Sequence, residues 1–207
     1  MSLKLSILIC SIESRAVKLS TLLESLKAYS SQWYAEEAHD RDFYMCKLIS
    51  NEVEIIYAVD NKQFPVGVKR NLLVKQASGA YITFVDDDDM IRPYYIPELL
   101  EGIKSGADVI TFTVAYFSNM QFDRPVLYST KYAKDYHDTK YYYRLPNHLM
   151  CVKREHALAT RFKPVNFGED ADYARRLKPL LKSEYTIDKV LYSYLFDSVK
   201  TETQKKN

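Results

Sequence analysis

"ASGAYITFVDDDD", residues 77–89, runs from a small-residue turn through an apolar stretch into four consecutive carboxylates. The apolar part, "AYITFV" (80–85), has the length and the aromatic and β-branched content of a buried strand. Asp86, Asp87, Asp88 and Asp89 at its carboxyl end repel one another, so something positive must offset them. A row of hard oxygen ligands suits Mg²⁺ or Mn²⁺ bound together with phosphate oxygens. The plainer alternative is a solvated acidic turn. An EF-hand is excluded, because the sixth position counted from Asp86 is Ile91, where that loop needs glycine.

Upstream, "VGVKRNLLVKQASG" (66–79) reads as a helix closed by Gly79. "VEIIYAVD" (53–60) is a second buried-type strand ending on Asp60, and "LSILIC" (5–10) a first. Between them, "SRAVKLSTLLESLKAY" (14–29) sets Val17, Leu22, Leu23 and Leu26 on one helical face, with Ser14 as N-cap. Residues 30–47 show no clear period. The alternation of strand and helix predicts an α/β chain with a Rossmann-like, mostly parallel sheet flanked by helices. Ligands of such sheets gather outside the carboxyl ends of the strands, where Ser11, Asp60 and residues 86–89 fall.

Downstream, a helix is expected after Pro93, ending near Gly106, and "DVITFTVAYF" (108–117) as a strand. Residues 118–145 read as a loop-like flap or short hairpins. "HLMCV" (148–152) is strand-like, "KREHALAT" (153–160) a short helix, "EDADYARRLKPLL" (169–181) a helix disturbed at Pro179, and "YTIDKVLYSYLF" (185–196) a late strand. The polar residues 197–207 read as a frayed tail.

The 207 residues, 47% of them hydrophobic, suffice for one core and a single domain. Lys and Arg number 29 against 27 for Asp and Glu, so the net charge of +2 permits a polyanionic partner without demanding one. Cys10, Cys46 and Cys151 form no CxxC pair, which argues against a disulfide framework or zinc knuckle and for a reducing compartment. No apolar run approaches the roughly 18 residues of a membrane span, and the start reads as a strand, so a cytoplasmic location is expected.

"VKRNLLVKQASGAYITFVDDDD" (68–89) resembles the stretch of family 2 glycosyltransferases in which an ARN-type helix start, an A-x-G turn and a strand precede the D-x-D motif. "GEDADYARRL" (168–177) resembles the same family's later acidic base motif, and the likeness extends over about residues 5–195. The resemblance implies a GT-A fold over 1–207, with a nucleotide-sugar donor half (1–117), an acceptor and catalytic half (118–196) and a flexible tail (197–207). It implies a metal-dependent, inverting transfer from a nucleotide diphosphate sugar, a UDP-sugar first among them, to an acceptor hydroxyl. Asp60 matches the acid that reads the nucleobase, Arg70 and Asn71 the helix behind the donor pocket, and Arg15 a basic residue near the nucleotide. Ser11 and Asp87 fall beside them. Asp86 would meet the ribose or the metal, and Asp88 would ligate Mn²⁺ or Mg²⁺ on the diphosphate, with the register among 86–89 open by one residue. Asp170 would take the acceptor proton while Glu169 shapes the site.

Each match has a blander reading. Asp170 stands where acids simply favour a helix N-terminus, Asp172 falls on another face, and Arg175 and Arg176 suit solvated ion pairs. His148 fits either a sugar or acceptor pocket or a hydrogen-bonded core position. Trp33 and "YYYR" (141–144) fit packing as well as stacking. Many relatives carry a late metal-binding histidine; this chain has no His after His156. A dehalogenase-like phosphatase also uses D-x-D and Mg²⁺, but asks for Thr or Val where Met90 stands, and a nucleotidyltransferase needs glycines that "CSIESRAVK" (10–18) lacks. A non-catalytic nucleotide-sugar-binding module is a further alternative. The acceptor stays open between a glycan, a lipid-linked sugar, a protein and a hydroxymethylated base in DNA. Lys153, Arg154, Arg161, Lys163, Arg175, Arg176 and Lys178 leave the last of these available.

Overall fold

The apolar run near the start forms β1 (Leu5–Ile12), in which Ile7, Leu8 and Ile9 are fully buried, each contributing about 1.5–3 kcal/mol. The computed structural model describes residues 3–40 and 43–198. After a 3₁₀ turn at Glu13–Arg15 come α1 (Ala16–Lys27), β2 (Tyr34–Asp40), β3 (Phe43–Ser50), β4 (Val53–Asp60), α2 (Val66–Gln76), β5 (Tyr81–Phe84) and β6 (Met90–Ile91). Then follow α3 (Tyr95–Ile103), β7 (Val109–Ser118), β8 (Gln121–Tyr128), β9 (Tyr136–His137), β10 (Tyr142–Arg144) and β11 (Cys151–Lys153). The last are α4 (Arg154–Thr160), α5 (Glu169–Leu177) and β12 (Glu184–Phe196).

All the strands join one mixed sheet. Its centre is parallel, β4 and β5 flanking β1, with Leu5 opposite both Val53 and Tyr81 and Ile12 opposite Asp60. β12 also runs parallel to β7, whereas β3, β8 and β11 enter antiparallel, as does β6 against β12. The register brings the carboxyl ends of β1, β4 and β5 to one edge, and Val85 continues β5 by donating its N–H to the Leu8 carbonyl at 3.0 Å.

Several local expectations change. Ser14 lies inside the 3₁₀ turn, α1 starts at Ala16 without a side-chain cap, and Val17 is 80% exposed while Leu19, Leu22 and Leu26 carry the buried face. The aperiodic stretch after residue 30 contains β2 and β3, paired from Tyr34 with Ile49 onward. For 118–145 the short hairpins hold instead of a flap: β8 returns along β7, and β9 pairs antiparallel with β10. Gly79 does not cap α2, which ends at Gln76 with Ala77 extended. A Cβ there would lie 2.6 Å from Ser6 Oγ and 2.7 Å from Ser6 N, so glycine is required by the close approach of this turn to β1. The fully buried Glu54 carboxylate fixes the approach, accepting from Ser6 Oγ (2.6 Å), Ser78 N (2.5 Å) and Gly79 N (3.1 Å).

A second close approach carries the late helix to the sheet edge. Asn71 on α2 donates to the Phe162 carbonyl and accepts from the Phe162 N–H, both at 2.8 Å. A Cβ on Gly67 would fall 1.8 Å from the Lys163 carbonyl oxygen. The segment after α4 therefore lies against the start of α2 and delivers α5, whose N-cap Gly168 has φ +76°, to the carboxyl ends of the strands. Past Leu177 the chain tightens into a 3₁₀ turn around Pro179. Among the described residues no helix is long and apolar enough to cross a membrane. Cys10, Cys46 and Cys151 are unpaired. The expected frayed tail lies, beyond Ser198, outside the described residues.

Candidate active site

Two cavities open at this sheet edge and share Arg70, Asp86 and Tyr194 as their common wall. The first, of about 280 Å³, has Ser11 from the end of β1 and Arg15 from the 3₁₀ turn after it, Lys69 and Arg70 from α2, Asp86, Asp87 and Asp88 after β5, and Glu169 from α5. The second, of about 460 Å³, has Tyr116, Tyr142 and Tyr194 from three strands, with Arg144, His148 and Asp170 around them.

The four aspartates separate by their partners. Asp86 faces Arg70 Nη2 at 3.2 Å and His148 Nε2 at 3.4 Å. Burial pushes its pKa up, but the neighbouring His148 and Arg70 outweigh that and hold the carboxyl below the usual range. Asp87 accepts from Ser11 Oγ (2.6 Å) and Arg15 Nη1 (2.7 Å). Asp88 lies 3.2 Å from Arg15 Nη1 and 3.8 Å from Lys18 Nζ, and its side chain is 23% exposed. Its pKa is raised, chiefly by burial, with Asp87 and Asp86 adding to it and Arg15 opposing. Asp89 turns away into the protein, accepting from Tyr192 Oη (2.7 Å) and Leu195 N (2.8 Å). Tyr192 Oη also accepts from the Asp86 N–H at 3.0 Å, so β12 pins both ends of the acidic run.

Arg70 is the hub. Nη1 donates to Glu169 at 2.7 Å, and Nη2 reaches Asp86 and, at 3.0 Å, His148 Nε2. Its guanidinium carbon lies 5.6 Å and 5.5 Å from the ring centroids of Phe84 and Phe162. Glu169 is buried and its pKa is raised, first by that burial and also by Asp170, against the pull of Arg70. Asp170, one residue on, faces only the second cavity. His148 is itself buried, and its Nδ1 has no partner among the described residues.

Asp60 sits apart from this pattern. Its side chain is 0% exposed and is held by Lys69 Nζ at 2.5 Å and by the Phe64 N–H at 2.9 Å, so it stands behind the first cavity instead of lining it. Asn71 joins α2 to Phe162, as above. Asp172 pairs with Lys163 (2.7 Å) and Arg176 (2.5 Å), away from both cavities. Trp33 donates to the carbonyls of Lys27 and Ser30. Lys69, Tyr192 and Tyr194 were not singled out in the sequence, although the i, i+2 spacing of the two tyrosines on β12 puts them on one face.

Among the described residues no three His, Cys, Asp or Glu side chains converge into an all-protein metal cage. Mg²⁺ and its like need less: one or two carboxylates suffice when substrate phosphates supply the remaining oxygens. Asp88, partly exposed and with its charge disfavoured by burial and by Asp87 and Asp86, together with Asp86 behind it, fits that smaller donor set.

The chain matches the profile of glycosyl transferase family 2 over residues 45–163. No curated protein matches the sequence. Among solved structures, S. aureus TarS 1-349 superposes with a TM-score of 0.65 at 15% identity, covering 93% of this chain and 60% of that one. The same protein in complex with UDP-GlcNAc gives a TM-score of 0.64 at 14% identity, covering 99% and 61%. Its complex with UDP gives 0.65 at 15%, covering 95% and 61%. The chain thus spans about 60% of the length of these structures and shares their fold. The aligned strand ends, the acidic run after β5 and the family profile lead to one assignment: this protein belongs to glycosyl transferase family 2.

Proposed function

We propose that the protein transfers a sugar from a nucleoside diphosphate donor, a UDP-sugar, held in the first cavity to an acceptor hydroxyl in the second. The observation that carries this reading is the shared wall: Arg70 and Asp86 stand between a cavity of mixed acids and bases and a cavity that holds Asp170. The donor cavity draws mainly on residues 1–117 but also on Glu169 and Tyr194, and the acceptor cavity on 118–196 but also on Arg70, Asp86 and Tyr116, so the two halves of the chain share both. The TarS complexes with UDP-GlcNAc and UDP, which share the fold, favour uridine.

Arg15, which lines the first cavity, would meet the diphosphate charge, with Lys18 beside Asp88 at 3.8 Å adding to it, and Ser11 fixes Asp87 so that Arg15 is held at the cavity. Asp88 with Asp86 would hold Mn²⁺ or Mg²⁺, which when bound stabilises negative charge on the leaving diphosphate. Arg70 keeps Glu169, and with it the start of α5, in place. Asp170 is then the carboxylate that takes the acceptor proton from the side opposite the leaving group, so the anomeric configuration inverts. Asp60 acts indirectly by fixing Lys69 and the loop after β4.

Calorimetric titration with UDP, GDP and TDP, with and without Mn²⁺, tests the reading. The expected result is Mn²⁺-strengthened UDP binding that Asp88→Ala abolishes. Absence of nucleotide binding with Mn²⁺ present would return the acidic run to a structural role.

A further inference from the structure

We infer that the second cavity takes a pyranose of an uncharged glycan and excludes a base presented by nucleic acid. The inference rests on the proposed donor and acceptor arrangement and names the class of acceptor. Its volume of about 460 Å³ falls in the small-ligand range of roughly 300–1,000 Å³. Tyr116 and Tyr194 face each other across β7 and β12, stacked at 5.6 Å, and Tyr142 of β10 meets Tyr116 edge-on at 5.4 Å. Three rings fixed by one another give a largely apolar surface, the Tyr142 hydroxyl donating to Asp123 at 3.0 Å and its ring carrying Arg124 at 4.7 Å, and rigid rings lose little entropy when covered. Around them stand Asp170 and Asp135, the latter accepting from the Leu145 N–H at 2.8 Å and lying 3.9 Å from Arg144 Nε. A ligand that satisfies this lining carries apolar C–H faces and many O–H donors.

Charge argues against an anionic acceptor. Among the described residues, the arginines and lysines lining the cavity are Arg70 and Arg144. Arg70 is held by Glu169 and Asp86. Arg144 Nη1 donates to the carbonyls of Tyr136 (3.0 Å) and Tyr143 (3.1 Å), and its guanidinium carbon lies 5.0 Å from the Tyr142 ring centroid. The basic residues that left nucleic acid open in the sequence lie elsewhere. Lys153 pairs with Asp108, Lys163 and Arg176 pair with Asp172, Lys178 donates to the Tyr132 carbonyl, and Arg154, Arg161 and Arg175 line neither cavity. Among the described residues, a polyanion entering here meets Asp86, Asp135 and Asp170 without a row of cations to track its phosphates.

The test uses the full chain saturated with UDP and Mn²⁺. Neutral methyl glycosides of several hexoses and N-acetylhexosamines are examined by saturation-transfer NMR, and a labelled DNA duplex by fluorescence anisotropy at roughly 50 and 200 mM salt. Expected are transfer to the ring protons of a glycoside and affinity weakened roughly 2- to 10-fold in Tyr116→Ala, with UDP affinity unchanged. Tyr116→Leu keeps apolar volume should the alanine variant not fold, and Tyr142→Phe keeps the ring and should keep binding. UDP binding without transfer to any glycoside overturns the inference and leaves the donor reading standing. So does duplex binding that Tyr116→Leu removes. Failure to bind UDP overturns the donor reading itself, and the acceptor assignment falls with it.

Discussion

Arg70→Met tests the buried hub most severely. The arginine side chain is 6% exposed and Glu169 7%, so the pair at 2.7 Å is almost fully removed from water. Methionine retains much of the length but leaves Glu169 without its ion-pair partner and Asp86 with His148 alone. Removing one partner of a buried ion pair costs about 3–5 kcal/mol. At about 2–4 °C per kcal/mol for a chain of this size, Tm should fall by about 6–20 °C. Glu169→Gln alone leaves Arg70 paired with Asp86 and should cost about 1.5–3 kcal/mol, the value of a charged hydrogen bond. The double variant should then be less destabilised than the sum by about 1–3 kcal/mol, since each change removes the same interaction. Urea unfolding of the four proteins at pH 7, followed by circular dichroism, gives the cycle directly. Additivity within about 0.5 kcal/mol, or an unchanged Tm in Arg70→Met, would refute the reasoning.

Three further outcomes follow from the geometry. Gly79→Ala forces a Cβ to within 2.8 Å of Leu5 C as well as Ser6, and should cost at least the roughly 1–3 kcal/mol of an overpacked site in urea unfolding. Tyr192→Phe leaves a buried Asp89 oxygen and the Asp86 N–H without their partner, and should lower stability by about 1–3 kcal/mol and weaken Mn²⁺-assisted UDP binding in calorimetry. Asp108, whose pKa is lowered by Lys153 and by the Lys182 N–H against the effect of burial, contributes stability above its unfolded value of about 3.9, lost as pH falls further. Thermal unfolding between roughly pH 3 and 7 should therefore drop more steeply for wild type than for Asp108→Asn.

The strands that position the site were legible because their signals are local. β1, β4 and β5 are short apolar runs, and their parallel order places Ser11 and Asp86 to Asp88 at one edge. β2 was hidden because residues 34–38 of this edge strand, "YAEEA", are all exposed and impose no period, Tyr34 being 72% exposed. The four aspartates look alike in sequence, and what turns Asp89 inward is Tyr192 and Leu195, more than a hundred residues away. Likewise the ARN-type match shows neither that Lys69 occupies Asp60 nor that Asn71 clasps Phe162. Local pattern identified the elements; long-range hydrogen bonds decide which side chains reach the cavities.

The most direct test of donor activation beside Asp170 needs no knowledge of the acceptor, because water can replace it. UDP release from UDP-GlcNAc in the presence of Mn²⁺, with the first-formed sugar anomer read by proton NMR, should show inversion. It should slow by about 10²–10⁴-fold in Asp170→Asn while calorimetric UDP affinity is retained. An unchanged rate in Asp170→Asn, or a retained anomeric configuration, would contradict the account.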